Sequence, residues 1–156
     1  MKKTNAIRWL ERFRFPYELL PYTYDPEHLD VEHISASNNL DAAQVFKTLV
    51  CIGDKTGPVV AVIPGNKQLV LKNFAQLTGN KKVAMAPMKD LQTLTGYIRG
   101  GCSPLGMKKK FPVYIDKAAL ELACVYVNAG TRGLLFGMAP EDLATVAEGY
   151  FGDIAE

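Results

Sequence analysis

An unbroken run of β-branched and apolar residues, Thr48-Leu49-Val50-Cys51-Ile52, stands directly behind a lysine and is followed, after Gly53–Pro58, by an apolar run, Val59–Ile63. β-Branched and apolar residues in runs of this length fit a buried strand, and the Gly/Pro-bounded connection between them predicts an antiparallel hairpin. The six residues ahead of Lys47, Asp41-Ala42-Ala43-Gln44-Val45-Phe46, predict a short helix, with Ser37, Asn38 or Asn39 able to cap it. Lys47 therefore sits where a helix is expected to give way to a buried strand. Its ammonium must either snorkel to water at the strand end or be held in a cleft by an anionic partner.

The other elements fall around this hairpin. Ala6, Trp9, Leu10 and Phe13 recur at helical spacing, so a helix is expected from Asn5 to Phe13, ended by Phe15-Pro16. Tyr17–Tyr24 alternates and contains Pro21, which suits an edge strand. Pro26–Asn39, with His28 and His33, is expected as loop; histidines five apart do not share a helical face, and no metal site is assigned. A helix over Lys72–Leu77 stopped by Gly79, a strand at Val83–Met85 and a short helix over Pro87–Leu94 follow. Strands at Pro112–Ile115, Ala123–Val127 and Gly133–Met138 and a helix over Pro140–Tyr150 complete the chain. Residues 1–156 form a single domain of the α+β class: a curved, mixed, mostly antiparallel sheet flanked by short helices.

A second unusual stretch is Gly96-Tyr97-Ile98-Arg99-Gly100-Gly101-Cys102-Ser103-Pro104-Leu105-Gly106. So many glycines preclude a regular element, while Tyr97, Ile98 and Leu105 anchor the segment as an ordered loop. Its backbone N–H groups could cup an anion or a carbonyl oxygen; equally, it could be a plain turn between two elements.

Net charge is +2, too small for a general nucleic-acid binder. Lys81-Lys82, Arg99, Lys108-Lys109-Lys110 and Arg132 could still contact a few phosphates. No apolar run approaches a membrane span, and charges interrupt the N-terminal stretch where a signal peptide would be apolar, so a cytoplasmic location is expected. The three cysteines are scattered without metal spacing, which argues against a disulfide framework or a zinc site. Cys102 as a nucleophile would need a nearby base. The sequence offers no nucleophile–base–orienter set, so an enzyme of this kind would work by positioning and electrostatics, without a cofactor.

Taken together, five segments resemble the YbaK/EbsC family of aminoacyl-tRNA deacylases, relatives of the editing domain of prolyl-tRNA synthetases. They are Val45-Phe46-Lys47-Thr48-Leu49, Lys81–Ala86, Thr95-Gly96-Tyr97 with Gly100–Gly106, Tyr126–Leu134 and Asp142-Leu143-Ala144. The resemblance spans about Leu10 to Ile154. It implies hydrolysis of the ester joining a wrong amino acid to tRNA, most often Cys on the proline tRNA, with the substrate's own thiol able to attack. Partners would be the acceptor end of a mischarged tRNA and, beyond it, prolyl-tRNA synthetase. Lys47 would position the terminal adenosine or its phosphate. The Gly100-Gly101 backbone would hold the reacting carbonyl and the developing oxyanion. Tyr24, Thr48, Cys102, Ser103, Asn128 and Arg132 would line the substrate.

The chain also departs from that pattern. Asn128-Ala129-Gly130-Thr131 stands where Cys-specific relatives often have Ser-Gly-Gly-Lys, and Leu135 replaces an acidic residue of some relatives. A pocket-lining Phe of the family in the loop before the lysine has no clear counterpart; Leu29 or Val31 could replace it. These changes bear on which amino acid is preferred, and a deacylase for another small amino acid remains an alternative. A module that binds tRNA ends or a synthetase without turnover is another.

Overall fold

The computed structural model describes residues 2–156. The hairpin forms as its composition demands: β2 (Phe46–Gly53) and β3 (Gly57–Pro64) pair antiparallel from Phe46↔Pro64 to Gly53↔Gly57. Around it β4 (Val83–Met85) joins β2 antiparallel, while β5 (Val113–Asp116) joins β3 and β8 (Tyr150–Gly152) joins β5, both parallel. The order is β4-β2-β3-β5-β8. A second sheet, β1-β7-β6, is antiparallel throughout and comprises β1 (Glu18–Pro21), β6 (Val125–Asn128) and β7 (Leu134–Met138). Pairing is thus mixed and mostly antiparallel, as expected, but the strands divide between two sheets. The sheets touch at the Val45↔Tyr126 bridge, where the Tyr126 N–H donates to the Gln44 carbonyl at 3.1 Å.

The helices are short and peripheral. α1 (Asn5–Leu10) is capped by Thr4, whose Oγ1 accepts from the Ile7 N–H, and it buries Ala6, Ile7 and Leu10. α3 (Leu71–Thr78) ends at Gly79 in the left-handed conformation, φ 78°. α4 (Leu91–Thr95) follows a 3₁₀ turn, and α5 (Pro140–Ala147) begins on its proline. Phe46, Phe136, Ile115 and Leu143 lie in the main core between sheets and helices. Burying a side chain of that size contributes roughly 1.5–3 kcal/mol.

Three local expectations are corrected. Residues 42–44 form a turn, not part of a helix, and Val45 already bridges to Tyr126. Asp41 accepts from the Ala43 N–H, and the Ala42 and Val45 carbonyls take the Gly65 N–H, so tertiary hydrogen bonds override helix propensity. As a result β2 starts at Phe46, and Lys47 lies inside the strand. The region expected as loop contains α2 (Val31–Ser37), capped by Asp30 Oδ2 accepting from the His33 N–H at 3.1 Å. The final helix stops early at Glu148, φ 52°, and the chain turns into β8, which pairs with the sequence-distant β5.

Candidate functional site

Lys47 reaches from β2 toward the end of β3, where its Nζ donates to the Gly65 carbonyl at 3.3 Å. The side chain is half-buried and, among the described residues, pairs with no carboxylate within ion-pair distance. Burial lowers its pKa from the usual lysine value, opposed by the fields of Glu32 and Asp30. Gly65 permits this arrangement because a Cβ there would lie 2.2 Å from a Val31 methyl, so only glycine lets α2 close over the strand end. The ammonium does not snorkel to bulk water; it faces a cleft.

That cleft encloses about 330 Å³ and is lined by Lys47, Thr48, Gly100, Cys102 and Asn128, with Tyr22, Leu29, Val31, Asp30 and Glu32 across it. Its size suits a small organic group bound with a few fixed polar contacts. Segments distant in sequence converge here, among them α2 with its cap Asp30, β2, the glycine loop and the C-terminal end of β6. The Thr48 Oγ1 is buried without a hydrogen-bond partner. Leu135 lines the wall as well, so that side is apolar.

The glycine loop is ordered by a turn and a clamp. The Gly101 N–H donates to the Ile98 carbonyl at 2.9 Å, and Gly100, at the third position of this turn, has φ 83°, as a type II turn requires. The Gly100 carbonyl accepts from Asn128 Nδ2 at 2.9 Å. Asn128 Nδ2 also donates to the Tyr22 hydroxyl at 3.3 Å, while its Oδ1 accepts from the N–H groups of Gly130 (2.7 Å) and Thr131 (3.1 Å). Asn128 is thus fully engaged within the protein and fixes the loop. The N–H groups of Gly100 and Cys102 have no acceptor among the described residues.

Four of the residues expected at the site stand elsewhere. The Gly101 N–H is taken by Ile98, and a Cβ at Gly101 would lie 3.2 Å from the Arg132 backbone nitrogen, so this glycine packs one turn on another. Ser103 is fully buried, and its Oγ accepts from the Leu105 N–H at 3.3 Å. Tyr24 and Arg132 line an adjoining hollow, not the cleft. The tyrosine in the cleft is Tyr22; two residues apart on an extended segment, Tyr22 and Tyr24 are indistinguishable by pattern alone. Asp30, Glu32 and Gly65 carry no signal of a site in the sequence: α2, which brings the two acids to the cleft, lies where a loop is expected, and Gly65 sits where the hairpin ends.

The groups present limit what the protein's own atoms can do. Burial, partly offset by a hydrogen bond with Thr95, pushes the Cys102 thiol up to about 12. The described histidines, His28 and His33, stack on each other at 4.5 Å beside a different hollow, so no imidazole stands by to take its proton. What remains is one ammonium, unsatisfied backbone N–H groups and two carboxylates around one cavity. Such a set can orient an ester and stabilise an oxyanion.

Residues 25–146 match the aminoacyl-tRNA editing domain family. A protein of Enterococcus faecalis, named as a candidate Cys-tRNA(Pro)/Cys-tRNA(Cys) deacylase, EbsC, is 47% identical over 98% of this chain and 93% of its own. A proline–tRNA ligase of Thermodesulfovibrio yellowstonii is 30% identical over 68% of this chain, which is 18% of the ligase. Among solved structures, one described as a candidate trans-editing enzyme for prolyl-tRNA synthetase has a TM-score of 0.78 at 24% identity, covering 90% of this chain and 87% of the other.

Proposed function

Because the chain belongs to the aminoacyl-tRNA editing domain family, we propose that it deacylates mischarged tRNA, with Cys-tRNA(Pro) as its substrate. The observation that carries this is the juxtaposition in one cleft of the Lys47 ammonium and the free N–H groups of Gly100 and Cys102, with no side-chain nucleophile poised between them. Lys47 orients the terminal adenosine. The Gly100 and Cys102 N–H groups receive the ester carbonyl oxygen and stabilise its negative charge as the carbonyl carbon becomes tetrahedral. Asn128 acts through Gly100 by holding the loop in place. Asp30 and Glu32 face the α-ammonium of the amino acid, Glu32 more freely because Asp30 already pairs with His33 Nδ1 at 2.6 Å.

With a cysteinyl ester the attacking group is the substrate's own thiol. Its sulfur bonds to the carbonyl carbon, the bond to the ribose oxygen breaks, and the thiol proton passes to that oxygen. The resulting thiolactone is then opened by water. Hydrolysis of an activated ester needs modest assistance, which suits a site built on positioning.

Among the described residues no helix is long and apolar enough to cross a membrane. Action in the cytoplasm, where prolyl-tRNA synthetase charges its tRNA, belongs to the same proposal, as does association with that synthetase. The test is release of cysteine from Cys-tRNA(Pro) by the wild type and by Lys47→Ala, extended to a panel of mischarged tRNAs. Faster release by the wild type alone supports the reading. Release by both at the uncatalysed rate removes it and leaves binding of tRNA ends without turnover.

A further inference from the structure

Beside the cleft lies a second hollow of about 340 Å³ to which no role has yet been given, lined by Tyr24, Ile98, Thr131 and Arg132 together with Gly96, Tyr97 and Gly130. Tyr24 and Ile98 are 43% and 45% exposed, so a ring and an aliphatic side chain present surface in the same hollow. The Tyr24 ring is not free to swing. It meets the Tyr22 ring edge-on with centroids 6.2 Å apart, and a Cβ at Gly133 would lie 3.3 Å from its Cε1.

Arg132 is also held in place, its Nε donating to the Arg99 carbonyl at 2.9 Å. Among the described residues no carboxylate pairs with Arg132, Arg99 or Lys108. Lys108 stands at the rim, with its Cβ 3.5 Å from where a Cβ on Gly96 would be. The hollow therefore offers a fixed aromatic ring, an aliphatic side chain and a guanidinium with unused donors.

The two cavities share a wall. Gly100 lines the cleft, and a Cβ on it would lie 3.3 Å from Arg132 Nε; Tyr22 lines the cleft and packs on Tyr24. A ligand extending beyond the cleft over this wall would meet Tyr24 and Arg132. We propose that the hollow binds the penultimate nucleotide of the tRNA acceptor strand, its base against Tyr24 and Ile98 and the phosphate joining it to the terminal adenosine against Arg132. The proposal rests on the deacylase reading for its substrate. Aromatic stacking accepts any base, and a guanidinium fork matches phosphate oxygens. All tRNAs share the same 3′-terminal trinucleotide, so this subsite supplies affinity common to every tRNA, while the cleft separates amino acids.

Turnover and binding test it separately. Wild type, Tyr24→Ala, Tyr24→Phe and Arg132→Gln are compared on Cys-tRNA(Pro) and on the cysteinyl ester of adenosine alone. Tyr24→Ala and Arg132→Gln are expected to lose about tenfold in kcat/KM on the tRNA and to match the wild type on the adenosine ester. Tyr24→Phe, which keeps the ring, is expected to retain tRNA activity. Equal losses on both substrates, or none on either, overturn the subsite. Titration with the dinucleotide CpA and with adenosine needs no turnover: the wild type is expected to bind CpA about tenfold more tightly, and Tyr24→Ala is expected to erase the difference. If CpA and adenosine bind the wild type alike, the subsite is overturned. If CpA is preferred and no tRNA is deacylated, the subsite stands and the deacylase reading falls.

Discussion

Asn128 Nδ2 holds the Gly100 carbonyl at 2.9 Å, while the same side chain's Oδ1 accepts from two backbone N–H groups of the turn after β6. One amide thus joins a glycine of the Gly96–Gly106 loop to the end of a strand 28 residues away. Its donor half serves the cleft, and its acceptor half serves the turn.

Substitution can separate these halves. Asn128→Asp keeps an acceptor for Gly130 and Thr131 but sets a carboxylate against the Gly100 carbonyl. Asn128→Ala leaves both N–H groups without their partner, at a cost of about 1–3 kcal/mol. Both variants are expected to lose at least about tenfold in deacylation, with Asn128→Asp melting at the higher temperature. Paired melting curves and cysteine-release assays check this; full activity in Asn128→Asp would refute the clamp.

Lys47 gives a pH-dependent prediction. Burial lowers its pKa in the folded state from the ordinary value of 10.5, so the unfolded chain holds this proton more tightly. The folded state is penalised in full below the lowered pKa, and the penalty fades as pH rises toward 10.5. Lys47→Met should therefore melt above the wild type at neutral pH, by a margin that shrinks in alkaline solution, while deacylation is lost. A lower melting temperature for Lys47→Met at neutral pH would mean that the Gly65 hydrogen bond dominates and Lys47 is structural.

Two glycines of the same loop should behave differently. Gly106 has φ 67°, and a Cβ there would lie 2.6 Å from the Asn5 carbonyl carbon and oxygen, backbone that cannot yield without moving α1. Gly106→Ala is expected to destabilise the fold by more than about 2 kcal/mol. The atoms nearest a Cβ on Gly100 are side-chain ones, the Leu29 methyls at 3.2 Å and the Arg132 Nε at 3.3 Å. Gly100→Ala should cost about 1–2 kcal/mol for its positive φ and reduce activity more than stability. Chemical denaturation and turnover measured together distinguish the two.

The Cys102 thiol, raised to about 12 by burial, stays protonated and unreactive at neutral pH. Cys102→Ala is expected to keep deacylation within about threefold of the wild type, because only the backbone N–H of this residue takes part. Alkylation by iodoacetamide at neutral pH should be slow. Rapid modification that tracks with lost activity would assign the thiol a direct role.

Glu32 is the freer of the two acids lining the cleft, since Asp30 pairs with His33; on the proposed reading both face the α-ammonium of the amino acid. Glu32→Gln should raise KM for esters with a free α-ammonium by about tenfold and leave the N-acetylated ester unchanged. An equal effect on both esters would make Glu32 a partner of Lys47 and not of the substrate.

Much of this molecule can be derived from local pattern. The β2–β3 hairpin follows from two apolar runs around a Gly/Pro connection, and α3 from a periodic stretch stopped by Gly79. The family resemblance rests on segments whose order and spacing are themselves sequence. Lys47, Gly100, Cys102 and Asn128 could be picked out as a set this way, though not the distances between them.

The tertiary structure decided what each of these groups is left free to do. Whether a backbone N–H can meet a substrate depends on whether another carbonyl already takes it, and Ile98 takes that of Gly101 while Gly100 and Cys102 keep theirs. Which of Tyr22 and Tyr24 faces the cleft depends on packing against Gly133 and Asn128, and the carboxylates of Asp30 and Glu32 arrive on a helix too short to announce itself. Propensity and periodicity act over a few neighbouring residues. A binding site is set by which hydrogen-bonding groups remain unpaired after distant segments have met, and no local pattern encodes that remainder.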